Sequence, residues 1–249
     1  MSGSPQSTDM HPLARIRFRA RRAILDSDFL AVPYMSIRRE YSHRRLRDGV
    51  RLVADGFPRS ANSYFMQAYI LAEGTPDAFA GHAHSAGLMR AAVRRNIPTV
   101  LLIREPSSVL ASYVQFEEGV AAADILRAYL GFHHALRPIL SKIVVADFAE
   151  VIANPGGVMG RARRISGAEF AVYQRTEENE QAIRERLDAI DARRNNGATS
   201  ERTVSRPSAS RKPANEVVAA LSSRERSLLA EAQDLYSLYI RQSSHHPDE

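Results

Sequence analysis

Residues 50–74, VRLVADGFPRSANSYFMQAYILAEG, decide the fold. The first eight, Val50 to Phe57, are mostly apolar, as in a strand covered on both faces. The next six, Pro58-Arg59-Ser60-Ala61-Asn62-Ser63, are turn formers. From Ser63 onward Phe65, Tyr69 and Ala72 recur at helical spacing, and Gly74 supplies a stop. A strand that turns directly into a helix is the building unit of a parallel α/β sheet. In such sheets ligands bind at the carboxyl ends of the strands, where turn N–H groups face an anion. Arg59 adds a fixed positive charge to this turn, and its small polar neighbours add donors.

Working outward, TVLLI (99–103) reads as a central strand and KIVVADF (142–148) as a third buried one. Helices are expected over 13–25, up to about Arg95, from Pro106, over 121–137, 155–166 and 171–194. A final helix starts at the capping box Ser222-Ser223-Arg224-Glu225. Residues 1–12 are a polar tail and 193–215 a long mobile loop rich in Ser, Asn, Gly and Pro. The alternation predicts the α/β class, a central parallel β-sheet flanked by helices, preceded by an Arg-rich arm over 1–49. Residues 50–249 would then form a single domain.

At 249 residues, 44% of them hydrophobic, the chain can bury a sizeable core. The absence of cysteine excludes disulfides, thiolate metal sites and a cysteine nucleophile. No apolar run approaches a membrane span of about 20 residues, and no secretory leader is evident, so a cytoplasmic protein is expected. The charge is uneven. Residues 1–51 carry 11 Arg against 5 acidic residues, and the remainder is balanced. A nucleic-acid binder spreads its basic footprint over the folded body, so no nucleic-acid partner is expected. Among the basic residues only Lys142 and Lys212 are lysine. Arginine suits bidentate recognition of phosphate or sulfate, although a coding bias gives the same skew.

A second anion motif lies in LLIREPSSVLASY (101–113), where Arg104 ends a strand and Ser108 and Ser112 share a helix face. Alone, the first motif suits a phosphate or an ordinary strand-to-helix turn, and the second reads as a helix N-cap cluster. Together and in this order they resemble the sulfotransferases that use 3′-phosphoadenosine 5′-phosphosulfate, over roughly residues 50–170. FPRSANSYF (57–65) is similar to that family's 5′-phosphosulfate loop and IREPSSVLASY (103–113) to its 3′-phosphate motif. The resemblance implies a P-loop-like sulfotransferase architecture and transfer of a sulfuryl group to an acceptor hydroxyl or amine, with no metal. Arg59 would replace the family's catalytic lysine, and Ser60, Ala61, Asn62 and Ser63 would cradle the phosphate. Tyr64 would lie against adenine, while Arg104 and Ser112 would hold the 3′-phosphate. In GHAH (81–84) His84 occupies the position of the family's base and His82 that of a lysine two residues earlier; either could be the base. Arg206, Arg211 and Lys212 stand where a basic segment closes over the 3′-phosphate.

The sequence departs from the pattern in three places. Arg59 gives up a rotatable ammonium for a rigid fork. Ala61 replaces a glycine, which requires the backbone there to avoid positive φ. No stacking tyrosine follows the third strand near Ala146. The acceptor, whether a small molecule, carbohydrate or glycolipid, is not legible. Two competitors remain. One is an ATP-dependent kinase with Asp147 on Mg²⁺, which lacks a Gly-x-x-x-x-Gly-Lys-Ser/Thr loop. The other is a non-catalytic module that binds RNA or anionic lipid through the arm. In helix 13–25, Leu13, Ile16, Ala20 and Ile24 share a side. That side either makes weak contact with an anionic membrane or packs on the body with the arginines in water, the latter being preferred.

Overall fold

The computed structural model describes residues 12–117, 119–198 and 213–243. Its centre is a sheet of four strands: β1 (Leu52–Gly56), β2 (Phe79–Gly81), β3 (Thr99–Ile103) and β4 (Val144–Asp147). All pairs are parallel, in the order β2-β1-β3-β4. Every residue of β1 and β3 is buried, which accounts for their apolar character, Asp55 in β1 excepted. Gly56 is required where β1 meets β3, because a Cβ there would lie 2.1 Å from the carbonyl oxygen of Leu102.

The helices are α1 (Pro12–Leu25), α2 (Ala31–Ile37), α3 (Asn62–Glu73), α4 (Ala86–Arg94), α5 (Pro106–Phe116), α6 (Ala122–Leu136), α7 (Phe148–Ala153), α8 (Pro155–Ser166), α9 (Glu177–Arg194), α10 (Ala214–Ala219) and α11 (Ser223–Ser243). They cover both faces of the sheet. Alternate strand residues point to opposite sides. Val53, Leu101, Ile103 and Val145 pack with α1, α2, α4, α5, α6 and α11. Leu52, Ala54, Val100, Leu102, Val144 and Ala146 pack with α3, α7, α8 and α9. Among the described residues no helix is long and apolar enough to cross a membrane.

The structure departs from the sequence reading in several elements. A fourth strand, β2, occupies three residues that carry too little periodicity to register. Helix α2 is an addition to that reading, and α9 starts at Glu177 rather than near 171, capped by Thr176 accepting from Asn179 N–H. Helix α1 reverses the preferred expectation. Leu13 and Ile16 are exposed, at 59% and 62%. The packed side instead carries Phe18, Arg22 and Leu25, with Arg19 Nη2 2.6 Å and Arg15 Nε 2.5 Å from the buried Asp124 carboxylate of α6. A carboxylate taken out of water needs cationic partners, and this need orients α1.

Candidate active site at the β1–α3 turn

The turn after β1 is anchored at its first residue. The buried Phe57 ring lies 5.4 Å from that of Tyr129 and 6.0 Å from that of Tyr113. Asn62 Nδ2 donates to the Phe57 carbonyl at 3.1 Å and closes the turn. Inside it, Arg59 and Ala61 both adopt left-handed backbone, with φ of 73° and 64°. The expectation that Ala61 avoids positive φ is therefore corrected. Left-handed residues placed this way turn successive N–H groups into a concavity that suits an anion. Helix α3 then begins with no side-chain cap and no acid in its first turn. By contrast Ser85, Glu105, Asn154 and Thr176 cap α4, α5, α8 and α9. The Ser60 hydroxyl and Asn62 Oδ1 are buried at this terminus with no hydrogen-bond partner. An orphaned hydroxyl beside uncapped N–H groups leaves donor capacity for a ligand.

The second motif meets the first directly. Arg104 Nη1 donates to the Arg59 carbonyl at 3.0 Å, and Arg59 Nε donates to Ser112 Oγ at 2.9 Å. Arg104 lies 4.0 Å over the Phe148 ring, and its own carbonyl accepts from Tyr129 Oη at 3.0 Å. The serines at 107 and 108 serve the helix instead, because the N–H groups of both donate to Glu105, which caps α5. Arg59 also lies 4.7 Å from the Phe116 centroid, with Arg194 at 5.3 Å on the same ring.

The histidine loop is held by Asp55, which is fully buried near the end of β1. Its carboxylate accepts from the backbone N–H groups of Gly56, Ala83, His84 and Ser85. Burial nevertheless pushes the Asp55 carboxyl up to about 6. His84 Nδ1 lies 2.8 Å from the Gly56 carbonyl oxygen, so Nδ1 must carry the proton. Burial holds this ring down to about 3, against the opposing effect of that hydrogen bond. His84 is thus a neutral imidazole with its Nε2 lone pair free, on a side chain one quarter exposed. His82 Nε2 lies 3.4 Å from Ser63 Oγ, while its Nδ1 is buried without a partner. The two rings are 5.4 Å apart.

Arg59, Ser60, Ala61, Asn62, Ser63, Arg104, Ser112, His82 and His84 are therefore gathered on one end of the sheet. Tyr64 is not: it packs in the core on the α9 side and donates to Glu180 at 2.7 Å, beside Tyr173. Arg206, Arg211 and Lys212 lie outside the described residues. Asp147 is engaged as the cap of α7 and by Tyr236 Oη at 2.8 Å.

Sequence reasoning missed Asp55, Arg44 and Arg194. A lone acid in an apolar strand was an available signal for Asp55. Nothing local marks Arg44, whose backbone carbonyl accepts from Gly81 N–H and whose charge helps keep both histidines neutral. Among the described residues no three side chains of metal-ligating type come together. A cleft of about 720 Å³ lined by Arg137, Leu140, Ile143, Val145, Leu238 and Arg241 shares no residue with this cluster. The sequence matches no protein-family model and no curated protein.

Proposed function

We propose that the protein is a sulfotransferase of P-loop-like architecture, moving a sulfuryl group from 3′-phosphoadenosine 5′-phosphosulfate to an acceptor hydroxyl or amine. The observation that carries this reading is the meeting of the two anion motifs, Arg104 on the Arg59 carbonyl and Arg59 on Ser112. The residues fit such a donor. A concave turn, an uncapped helix start and an orphaned Ser60 hydroxyl suit its 5′-phosphate, and Arg104 with Ser112 suits its 3′-phosphate.

When bound, the donor supplies the sulfuryl group and an anionic leaving phosphate. The α3 N–H groups would hold that phosphate in line, and Arg59 would neutralise the charge that develops on it. For this Arg59 exchanges its bond to Ser112 for one to the leaving group, which frees Ser112 for the 3′-phosphate. His84 Nε2 accepts the proton of the attacking O–H or N–H as the new O–S or N–S bond forms, and its Nδ1–H bond to Gly56 keeps the ring in that tautomer.

A kinase is less well supported, because the Asp147 carboxylate is shared between a helix cap and Tyr236 and no lysine stands in the turn. Calorimetry of the two product-like nucleotides tests the reading. 3′-Phosphoadenosine 5′-phosphate should bind at least about tenfold tighter than AMP, since the extra charge-assisted pair is worth roughly 1.5–3 kcal/mol. Arg104→Ala should remove most of that preference. Equal affinities in the wild type overturn the assignment.

A further inference from the structure

Seven large hydrophobic side chains are exposed among the described residues, and five of them lie between positions 13 and 37: Leu13, Ile16, Phe29, Leu30 and Ile37. Phe29 is 86% and Ile37 82% exposed. Single exposed apolar residues are ordinary; a concentration of them on one element pair is not. The pair doubles back on itself, since Arg21 of α1 reaches Tyr41 Oη, just beyond α2, at 2.7 Å. The same segment is basic, with Arg17, Arg38 and Arg39 exposed. Its acidic side chains between 13 and 41 are all ion-paired: Asp26 with Arg22, Asp28 with Arg90 and Arg94, and Glu40 with Arg21 and Arg38.

We propose that the α1–α2 face docks on an anionic membrane surface, with Phe29, Leu30 and Ile37 entering the interface and the arginines facing lipid phosphates. Apolar tips rimmed by cations match the charge of such a surface and the shallow depth of its headgroup layer. A second copy is a poorer match, because pairing this face with itself opposes like charges. Nucleic acid would use the arginines and leave the apolar tips in water. The docked helix also holds the histidine loop: Arg22 Nη1 donates to the His84 carbonyl at 2.7 Å, and Ser85 Oγ donates to the Leu25 carbonyl at 2.5 Å. Together with the sulfotransferase reading this favours a membrane-resident acceptor, but the surface itself does not depend on that reading.

The test is sedimentation of the full-length protein with vesicles of phosphatidylcholine alone or mixed with phosphatidylglycerol. Binding is expected to the mixed vesicles only and to be lost in high salt. The double substitution Phe29→Ser with Ile37→Ser should weaken it at least about tenfold, and Arg17→Glu about fivefold or more, one basic residue's worth of attraction. All three positions are exposed, so circular dichroism and binding of 3′-phosphoadenosine 5′-phosphate should not change. Absence of binding, equal binding to both vesicle types, or binding that the serine pair leaves intact overturns the proposal. So does a dimer in solution that the serine pair dissolves, which would assign the face to a second copy. Failure of the sulfotransferase reading would register separately, as loss of the nucleotide preference with vesicle binding retained.

Discussion

Two groups with opposite tendencies meet at the histidine loop, the buried Asp55 and the partly exposed His84, and their titration can be told apart. His84, held down to about 3, stays neutral across the working range and contributes no acid limb of its own. Asp55, pushed up to about 6, does titrate there, and protonation weakens an acceptor that binds four backbone N–H groups. We expect kcat/KM to fall as pH drops through about 6, and Asp55→Asn to lower activity while flattening that limb. A limb that persists in Asp55→Asn would assign it to a histidine and sink this account. His84→Ala should cut turnover roughly 10²- to 10⁴-fold with nucleotide affinity unchanged. If His82→Ala is the inactive variant instead, the base is two residues earlier.

Among the elements, the β1–α3 turn depends on an alanine in a conformation that alanine disfavours. Left-handed backbone costs a non-glycine residue about 1–2 kcal/mol, and glycine gives back about 0.5–1 kcal/mol in unfolded-state entropy. Ala61→Gly should therefore leave stability unchanged or raise it by up to about 1.5 kcal/mol, and Ala61→Val should lower it, both read from urea unfolding. A glycine variant less stable by more than about 1 kcal/mol would mean that the Cβ makes a contact worth more than the strain. Strands β1, β3 and β4 were legible because burial on both faces writes a mostly apolar run, broken by Asp55 in β1 and Asp147 at the end of β4. Strand β2 was not, since three residues, Phe79 to Gly81, between a 3₁₀ turn and a histidine loop are too few to show a period. The outward face of α1 was misread for a different reason: the partner that orients it, Asp124, lies more than a hundred residues away and is recognised only when its burial is seen. The same holds in the site. Arg59 and Arg104 could be singled out by position at strand–helix junctions and Ser112 by its helical spacing from Ser108, whereas Arg44 and Arg194 reach the cluster only through the tertiary fold.

Over the whole molecule, stability should fall with acid through histidines that are buried neutral. His133 is fully buried between α6 and α11. Its ring centroid lies 4.1 Å from that of Tyr129 and 5.7 Å from that of Tyr239, and its Nδ1 donates to the Tyr129 carbonyl at 2.8 Å. Burial holds it down to about 3, against an unfolded value near 6.5. The sign follows from proton counting. Between these values the unfolded chain binds the proton and the folded chain does not, so stability is full above about 6.5 and declines as pH falls toward 3. His84 acts in the same direction. Asp55 acts in the opposite one: its raised value makes the folded state the better proton binder between about 4 and 6, and this offsets part of the loss. His133→Phe isolates one contribution. The ring is kept and the buried, unpartnered Nε2 is removed, so near pH 7.5 the substitution should be tolerated. At pH 5 the variant no longer carries the proton-linked cost, and relative to wild type it should gain about 2 kcal/mol over its pH 7.5 difference, for about 1.5 pH units below the unfolded value. Parallel urea titrations at the two pH values measure that change. A difference between variant and wild type that is the same at both would show that His133 is charged inside the fold, with its Nε2 hydrogen-bonded after all.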